Sequence, residues 1–200
     1  MKANRAKTKS KPGVVGARLA EVAESLRPEV TRPRAIAALD EMFREGTVPD
    51  PAPAGFLRGR LIATTTWGPL DAVGRGVARR WMPWQGKSFD PVAMSGVNRF
   101  TPDVRSPMRA LWPSYRPLQA DDEMVEAFPF LNRVEAGALD PDLKVLKIDY
   151  DFEANPSFII RQILDELVQV DEGLYLGKVL FRWRGSLRRL GFFSLEASES

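Results

Sequence analysis

From Gly55 onward, apolar and polar residues alternate. In GFLRGRLIATTT, Leu57, Gly59, Leu61 and Ala63 fall on one side and Arg58 and Arg60 on the other. A period of two places successive side chains on opposite faces of a strand. The pattern returns in LKVLKIDYDF, where Leu146, Ile148 and Tyr150 oppose Lys147 and Asp149, and then in LYLGKVLFRW and LRRLGFFSLEA. Asp171-Glu172-Gly173 and Arg184-Gly185-Ser186 punctuate this last quarter as turns. MPWQGKSF reads as a strand around a turn and VAMSGVNRF as another strand. IIRQILDELVQV satisfies helical and strand periodicity equally, and proline-rich residues 101–143 show no clear period, leaving residues 93–140 open as lid or wall. Consecutive strands joined by tight turns form an antiparallel meander, which removes its exposed edges most economically by closing into a barrel.

The chain before Gly55 has a different texture. GVVGARLAEVAESLRP places Val15, Leu19, Val22, Ala23 and Leu26 at helical spacing, with Pro28 as its stop. TRPRAIAALDEMFREG reads as a second helix, with Thr31 as cap, Pro33 in the first turn and Gly46 at the end. Pro49, Pro51 and Pro53 then interrupt regular structure. WGPLDAVGRGVARRW reads as a turn and a short helical segment. The expected organisation is a basic tail over 1–12, a helical N-terminal extension over 13–48 and an antiparallel β-barrel domain over 49–197.

Composition narrows the chemistry. The 200 residues include neither cysteine nor histidine. Disulfides, thiolate nucleophiles, Ser-His-Asp catalysis, His-based zinc sites and His-ligated haem are therefore excluded. Acid–base work falls to Asp, Glu, Lys or Tyr. No Asp/Glu/Asn spacing describes an oxygen-ligand metal loop, and neither metal nor cofactor is expected. The net charge of +3 conceals an uneven distribution. Five lysine and arginine residues crowd the first eleven positions, whereas residues 121–172 hold fourteen acidic side chains against four basic. A uniformly basic nucleic-acid surface is not what this describes, although the basic tail offers weak attraction to an anionic membrane surface. With no signal-like apolar run, a cytoplasmic location is the expectation.

The tripeptide Gly86-Lys87-Ser88 ends like a phosphate-binding loop. Trp81, however, stands where that loop needs its first glycine, and Pro91 discourages the helix that must follow. It is not read as a nucleotide site.

A different likeness accounts for these letters. Gly55-Phe56-Leu57-Arg58-Gly59 and Trp84-Gln85-Gly86-Lys87-Ser88-Phe89 resemble the two motifs of the GxWxG-type lipocalin-like proteins, small barrels of the calycin sort. Leu57 replaces the tryptophan of the first motif. Asp165, Leu176-Gly177 and Gly191-Phe192-Phe193-Ser194-Leu195-Glu196 look like that family's closing strands. The likeness covers about residues 40–65, 80–92 and 143–197. It implies a lipocalin-like barrel binding a hydrophobic small molecule, lipid-like or polyketide-like, without catalysis. Haem binding, which such relatives achieve through histidine, does not carry over.

Candidate ligand-binding residues are Trp81, Trp84, Lys87, Phe89 and Tyr150. Trp81 and Trp84 form either an aromatic wall of a cavity or, the simpler reading, a plug for one barrel end. Lys87 is either a cation for a ligand carboxylate or phosphate or, more simply, a solvated strand residue. Should the barrel be an enzyme, a cofactor-independent isomerase, cyclase or hydratase, Asp165 and Tyr150 are the candidate catalytic groups, with Asp149 and Asp151 nearby. An inward carboxylate among apolar side chains would have a raised pKa. The simpler reading makes Asp165 the mark of a turn or cap, and Asp149 part of an outward ladder with Lys147. Arg182, Trp183, Arg184, Arg188 and Arg189 suit an ordinary charged hairpin face better than a stacking surface for single-stranded nucleic acid.

Overall fold

Alternation in the last third of the chain becomes an up-and-down run of long strands. The computed structural model describes residues 13–26, 30–65 and 83–197. Readings that concern the basic tail and the segment Trp67–Trp81 lie outside them. The strands are β1 (Gly55–Thr64), β2 (Trp84–Asp90), β3 (Ser95–Phe100), β4 (Gln119–Ala120), β5 (Val125–Ala136), β6 (Lys144–Asp149), β7 (Ile163–Asp171), β8 (Leu174–Trp183) and β9 (Ser186–Ala197). Their order is β3-β2-β1-β9-β8-β7-β6-β5-β4, and β3 also pairs with β5. That last pairing, from Ser95↔Leu131 to Phe100↔Val125, closes eight antiparallel strands into a barrel and leaves the two-residue β4 as an appendage of β5.

β5 pairs with three strands, β3, β4 and β6, and bends along its length. Phe128 takes φ 54° ahead of Pro129, and the register against β3 shifts between Gly96 and Asn98. Residues 125–126 pair with β4, and 131–136 with β6. The middle of the chain, illegible by period, thus supplies a full wall strand. It also supplies α3 (Arg105–Leu111), whose Met108 is buried, and a loop whose Trp112 and Tyr115 rings pack on Phe128 at 5.2 and 5.0 Å between centroids.

The ambiguous IIRQILDELVQV resolves into a 3-10 turn at Ile160–Gln162 followed by β7. Its period was obscured because both faces of β7 are covered. Leu167 belongs to the cluster inside the barrel, and Val168 to a second cluster beneath the N-terminal helices. Those helices are α1 (Val14–Glu24) and α2 (Arg32–Glu45), whose Leu19, Leu39, Met42 and Phe43 pack with Val168, Leu176 and Phe192 on the outer wall. A backbone bridge between Thr47 and Gln169 fastens the chain after α2 to β7. Gly46 does end α2, but Thr31 does not cap it with its side chain: its hydroxyl donates to Ser25 O at 2.6 Å.

Two other expectations are corrected by bulges. The register slips between Leu61 and Ala63, so Ala63 leaves the face of Leu57 and joins the outer cluster. Among the described residues of MPWQGKSF, from Pro83 onward, there is no turn. A slip between Trp84 and Gly86 takes its place, and the chain turns instead at Pro91–Met94, so that β3 begins at Ser95. Among the described residues, no helix is long and apolar enough to cross a membrane.

Candidate functional site

The bulge in β2 decides what faces the interior. Gly86 sits at φ 145°, and a Cβ there would lie 2.7 Å from the Gly59 backbone nitrogen, so glycine alone permits β1 and β2 to approach this closely. The extra residue also brings Trp84 and Lys87, three positions apart, to the same inner side. Of the two readings of Lys87, the solvated strand residue fails, since only 3% of its side chain is exposed. The strand parity explains this: Lys87 and Phe89 are two residues apart, and Phe89 is a core residue.

Side chains from five other strands or strand ends meet the Lys87 ammonium. Asn98, its cross-strand partner on β3, accepts a hydrogen bond through Oδ1 at 2.9 Å. Tyr150, just past β6, accepts another at its hydroxyl. Asp165 on β7 pairs through Oδ2 at 2.9 Å. Four rings, Trp84, Phe130, Tyr150 and Phe193, lie with centroids 5.1–5.4 Å from Nζ. Asp165 is therefore no turn or cap; it sits mid-strand, paired across from Ile148 and Val179, and points inward.

The remaining polar atoms of the cluster bond one another. Trp84 Nε1 donates to Asn98 Oδ1 at 3.1 Å. Asn98 Nδ2 donates to Phe128 O at 3.0 Å and to the Tyr150 hydroxyl at 3.2 Å. The Tyr150 hydroxyl donates to Asp165 Oδ2 at 3.1 Å. Burial pushes the Lys87 pKa down, an effect that neighbouring Asp165 opposes. Burial also pushes Tyr150 well above the ordinary phenol value, and the Asp165 charge adds to the rise. Tyr150 is thus held neutral.

This cluster borders a cavity of about 230 Å³, partly open to solvent. The cavity occupies the barrel end where β1, β3, β6 and β8 finish and β2, β5, β7 and β9 begin. Its apolar walls are Leu61, Phe100, Phe128, Ile160, Ile163 and Val179, with Phe193 beside Trp84. The other end of the barrel is filled by side chains that include Leu57, Leu146, Leu167 and Leu195.

Of the residues singled out from the sequence, Trp84, Lys87, Tyr150 and Asp165 line this cavity together. Phe89 does not: it packs on Phe130 at 5.3 Å in the filled half. Trp81 lies outside the described residues. Asp149 faces outward to Arg182 at 3.0 Å and Arg133 at 2.9 Å, and Asp151 pairs with Arg161 at 3.0 Å, so neither adjoins the cavity. In the hairpin, Arg182 and Arg189 are engaged by Asp149 and Asp40, and Arg184 lies over the half-exposed Trp183. Asn98 escaped the sequence reading, because a lone asparagine in a strand carries no signal until its cross-strand neighbour is known. Among the described residues, no group of three or more carboxylates is arranged to hold a metal ion.

The fold and site define a class, a closed eight-stranded antiparallel barrel with a buried ion pair beneath an apolar cavity. No protein-family model matches the chain, and no curated protein matches it. Among solved structures, it is similar to a protein from Thermomonospora curvata, at 17% identity and a TM-score of 0.46, over 92% of this chain and 97% of that one.

Proposed function

We propose that the barrel binds a compact, mostly apolar small molecule non-covalently in the cavity above the Lys87–Asp165 pair. The observation that carries this reading is the asymmetry of the interior: one half is filled, while the other leaves about 230 Å³ walled by apolar side chains around a single polar cluster. Binding sites for small molecules have this composition, apolar walls with a few convergent polar groups. Burial of ligand area at roughly 25 cal/mol per Å² supplies the driving force. The resemblance of Trp84–Phe89 to the lipocalin-like motif supports the same use. The volume lies below the roughly 300 Å³ at which pockets for drug-sized ligands begin, so a short-chain or single-ring molecule suits it better than a long-chain lipid. Displacement of 1-aminoanthracene from the barrel, followed by fluorescence, tests the reading. The unmodified protein should enhance dye emission, and Val179→Trp, which fills the cavity, should abolish the enhancement while thermal unfolding stays cooperative. Equal enhancement in both would place the dye elsewhere and defeat the proposal.

A second reading rests on the same cluster. Tyr150 is held neutral, and the Lys87 protons all have acceptors, so Asp165 is the group left to take a proton from a bound substrate, as a cofactor-independent isomerase, cyclase or hydratase requires. Asp165-dependent exchange of deuterium into a bound carbonyl compound would favour it, and no exchange would remove it.

A further inference from the structure

Counting donors and acceptors in the buried cluster leaves one atom over. The Lys87 ammonium has three N–H groups, and Asn98 Oδ1, the Tyr150 hydroxyl and Asp165 Oδ2 take all three. The two N–H groups of Asn98 go to Phe128 O and the Tyr150 oxygen. Asn98 Oδ1 accepts from Trp84 and Lys87, which fills its two lone pairs, and the Trp84 N–H is thereby used. The Tyr150 oxygen accepts from Lys87 and Asn98 and donates to Asp165 Oδ2. Only Asp165 Oδ1, buried and without a hydrogen-bond partner, has capacity to spare, and Asp165 is a cavity-lining residue. The cluster offers a ligand one acceptor and no donor.

Resting on the cavity reading above, we infer that the ligand class is a neutral molecule with an apolar body and a hydroxyl or N–H donor, which it gives to Asp165 Oδ1. The charge balance points the same way. Lys87 and Asp165 neutralise each other, so the site has no net positive charge for an anion. A ligand carboxylate would face an unpartnered carboxylate oxygen with no N–H left to receive it. A ligand ammonium would satisfy Asp165 but would enter beside the Lys87 charge. The Lys87 cation, which from sequence alone was weighed as an anchor for a ligand carboxylate or phosphate, is already committed.

A buried polar atom lacking its partner is costly, and a hydrogen bond to a charged group is among the stronger ones, so a correctly placed donor should tighten binding by about tenfold or more. The test compares four ring probes by NMR titration of the unmodified protein: phenol, toluene, acetophenone and benzoate. Phenol is expected to bind at least about tenfold more tightly than toluene, with acetophenone no better than toluene and benzoate not binding. In Asp165→Asn, the side-chain amide places N–H groups where Oδ1 was, and the preference should shift from phenol toward acetophenone. The comparison in the unmodified protein decides the matter even if that variant does not fold. Equal affinity for phenol and toluene, or tightest binding by benzoate, overturns the donor assignment and leaves the cavity reading standing. Silence from all four probes overturns both.

Discussion

Lys87 Nζ lies 2.9 Å from Asp165 Oδ2 inside the barrel, with only 3% and 5% of the two side chains exposed. Taking both charges out of water is expensive, and their attraction offsets that cost only while both remain. Lys87→Met or Asp165→Leu alone should therefore destabilise by about 3–5 kcal/mol, because each leaves an uncompensated buried charge. The double substitution should lose less than either single one. Urea unfolding of the four proteins closes the cycle. A double variant that loses the sum of the two singles would show that the charges act independently.

Gly59 is the seat of the Trp84 indole. A Cβ at Gly59 would lie 2.6 Å from Trp84 Cζ3 and 2.8 Å from the Gly86 Cα, a space too small for a methyl group. Gly59→Ala is expected to cost about 1–3 kcal/mol by overpacking and to turn the indole away from Phe193, with which it makes an edge-to-face contact at 5.8 Å. Near-ultraviolet circular dichroism reports the ring's surroundings directly. An unchanged spectrum and midpoint would mean that the ring has room to spare.

Strand parity accounts for this site, but only once β2 and β7 are known to run as strands. Phe89 and Lys87 share a parity, as do Ile163, Asp165 and Leu167, so both charged residues follow apolar neighbours inward. Residue type pulled the reading of Lys87 the other way, since lysine is seldom buried without a partner, and its partner is 78 positions distant. β6, β8 and β9 were visible because their residues alternate and tight turns bound β8 on both sides. β7 was ambiguous because helices cover its outer face, which erases the polar half of the pattern. The bulges at Trp84/Gly86 and Leu61/Ala63 and the bend at Phe128 were out of reach, since each breaks the period on which strand assignment depends.

The pH dependence of stability should have two opposed parts. Burial raises the Asp140 carboxyl, but Lys178 and Arg44 outweigh it and hold the group below its ordinary value. Burial likewise raises Asp149, and the Asp151 N–H with Arg182 and Arg133 outweigh it. A depressed folded-state pKa gives stability that is present above the unfolded value, near pH 4, and is lost as pH falls through the folded value. Glu166 behaves oppositely. Burial raises its pKa, and the Ala138 N–H only partly offsets this. Its penalty is absent below the unfolded value and grows as pH rises through the folded one. Glu166→Gln should accordingly gain stability relative to the unmodified protein as pH climbs from about 4 toward neutrality. Denaturant midpoints across that range give the difference, and a flat difference would contradict the assignment.

Phe43 joins the helical extension to the barrel. It is fully buried in α2, packed in one cluster with Leu176 and Phe192 of the barrel wall, and its ring lies under the Lys178 ammonium at 4.2 Å. That ammonium is itself buried, paired with Asp140 at 2.6 Å and with Asp40 of α2 at 3.0 Å. Because α2 and β8 share these apolar and ionic contacts, the helices cannot leave without exposing the outer wall of the sheet. Phe43→Ala should cost about 3–5 kcal/mol, the range for emptying a large core site. It should lower the unfolding midpoint while keeping one transition, with helical dichroism at 222 nm and tryptophan fluorescence falling together. Loss of the helical signal at lower denaturant than the fluorescence change would instead mean that the helices are a separate cooperative unit resting on an already stable barrel.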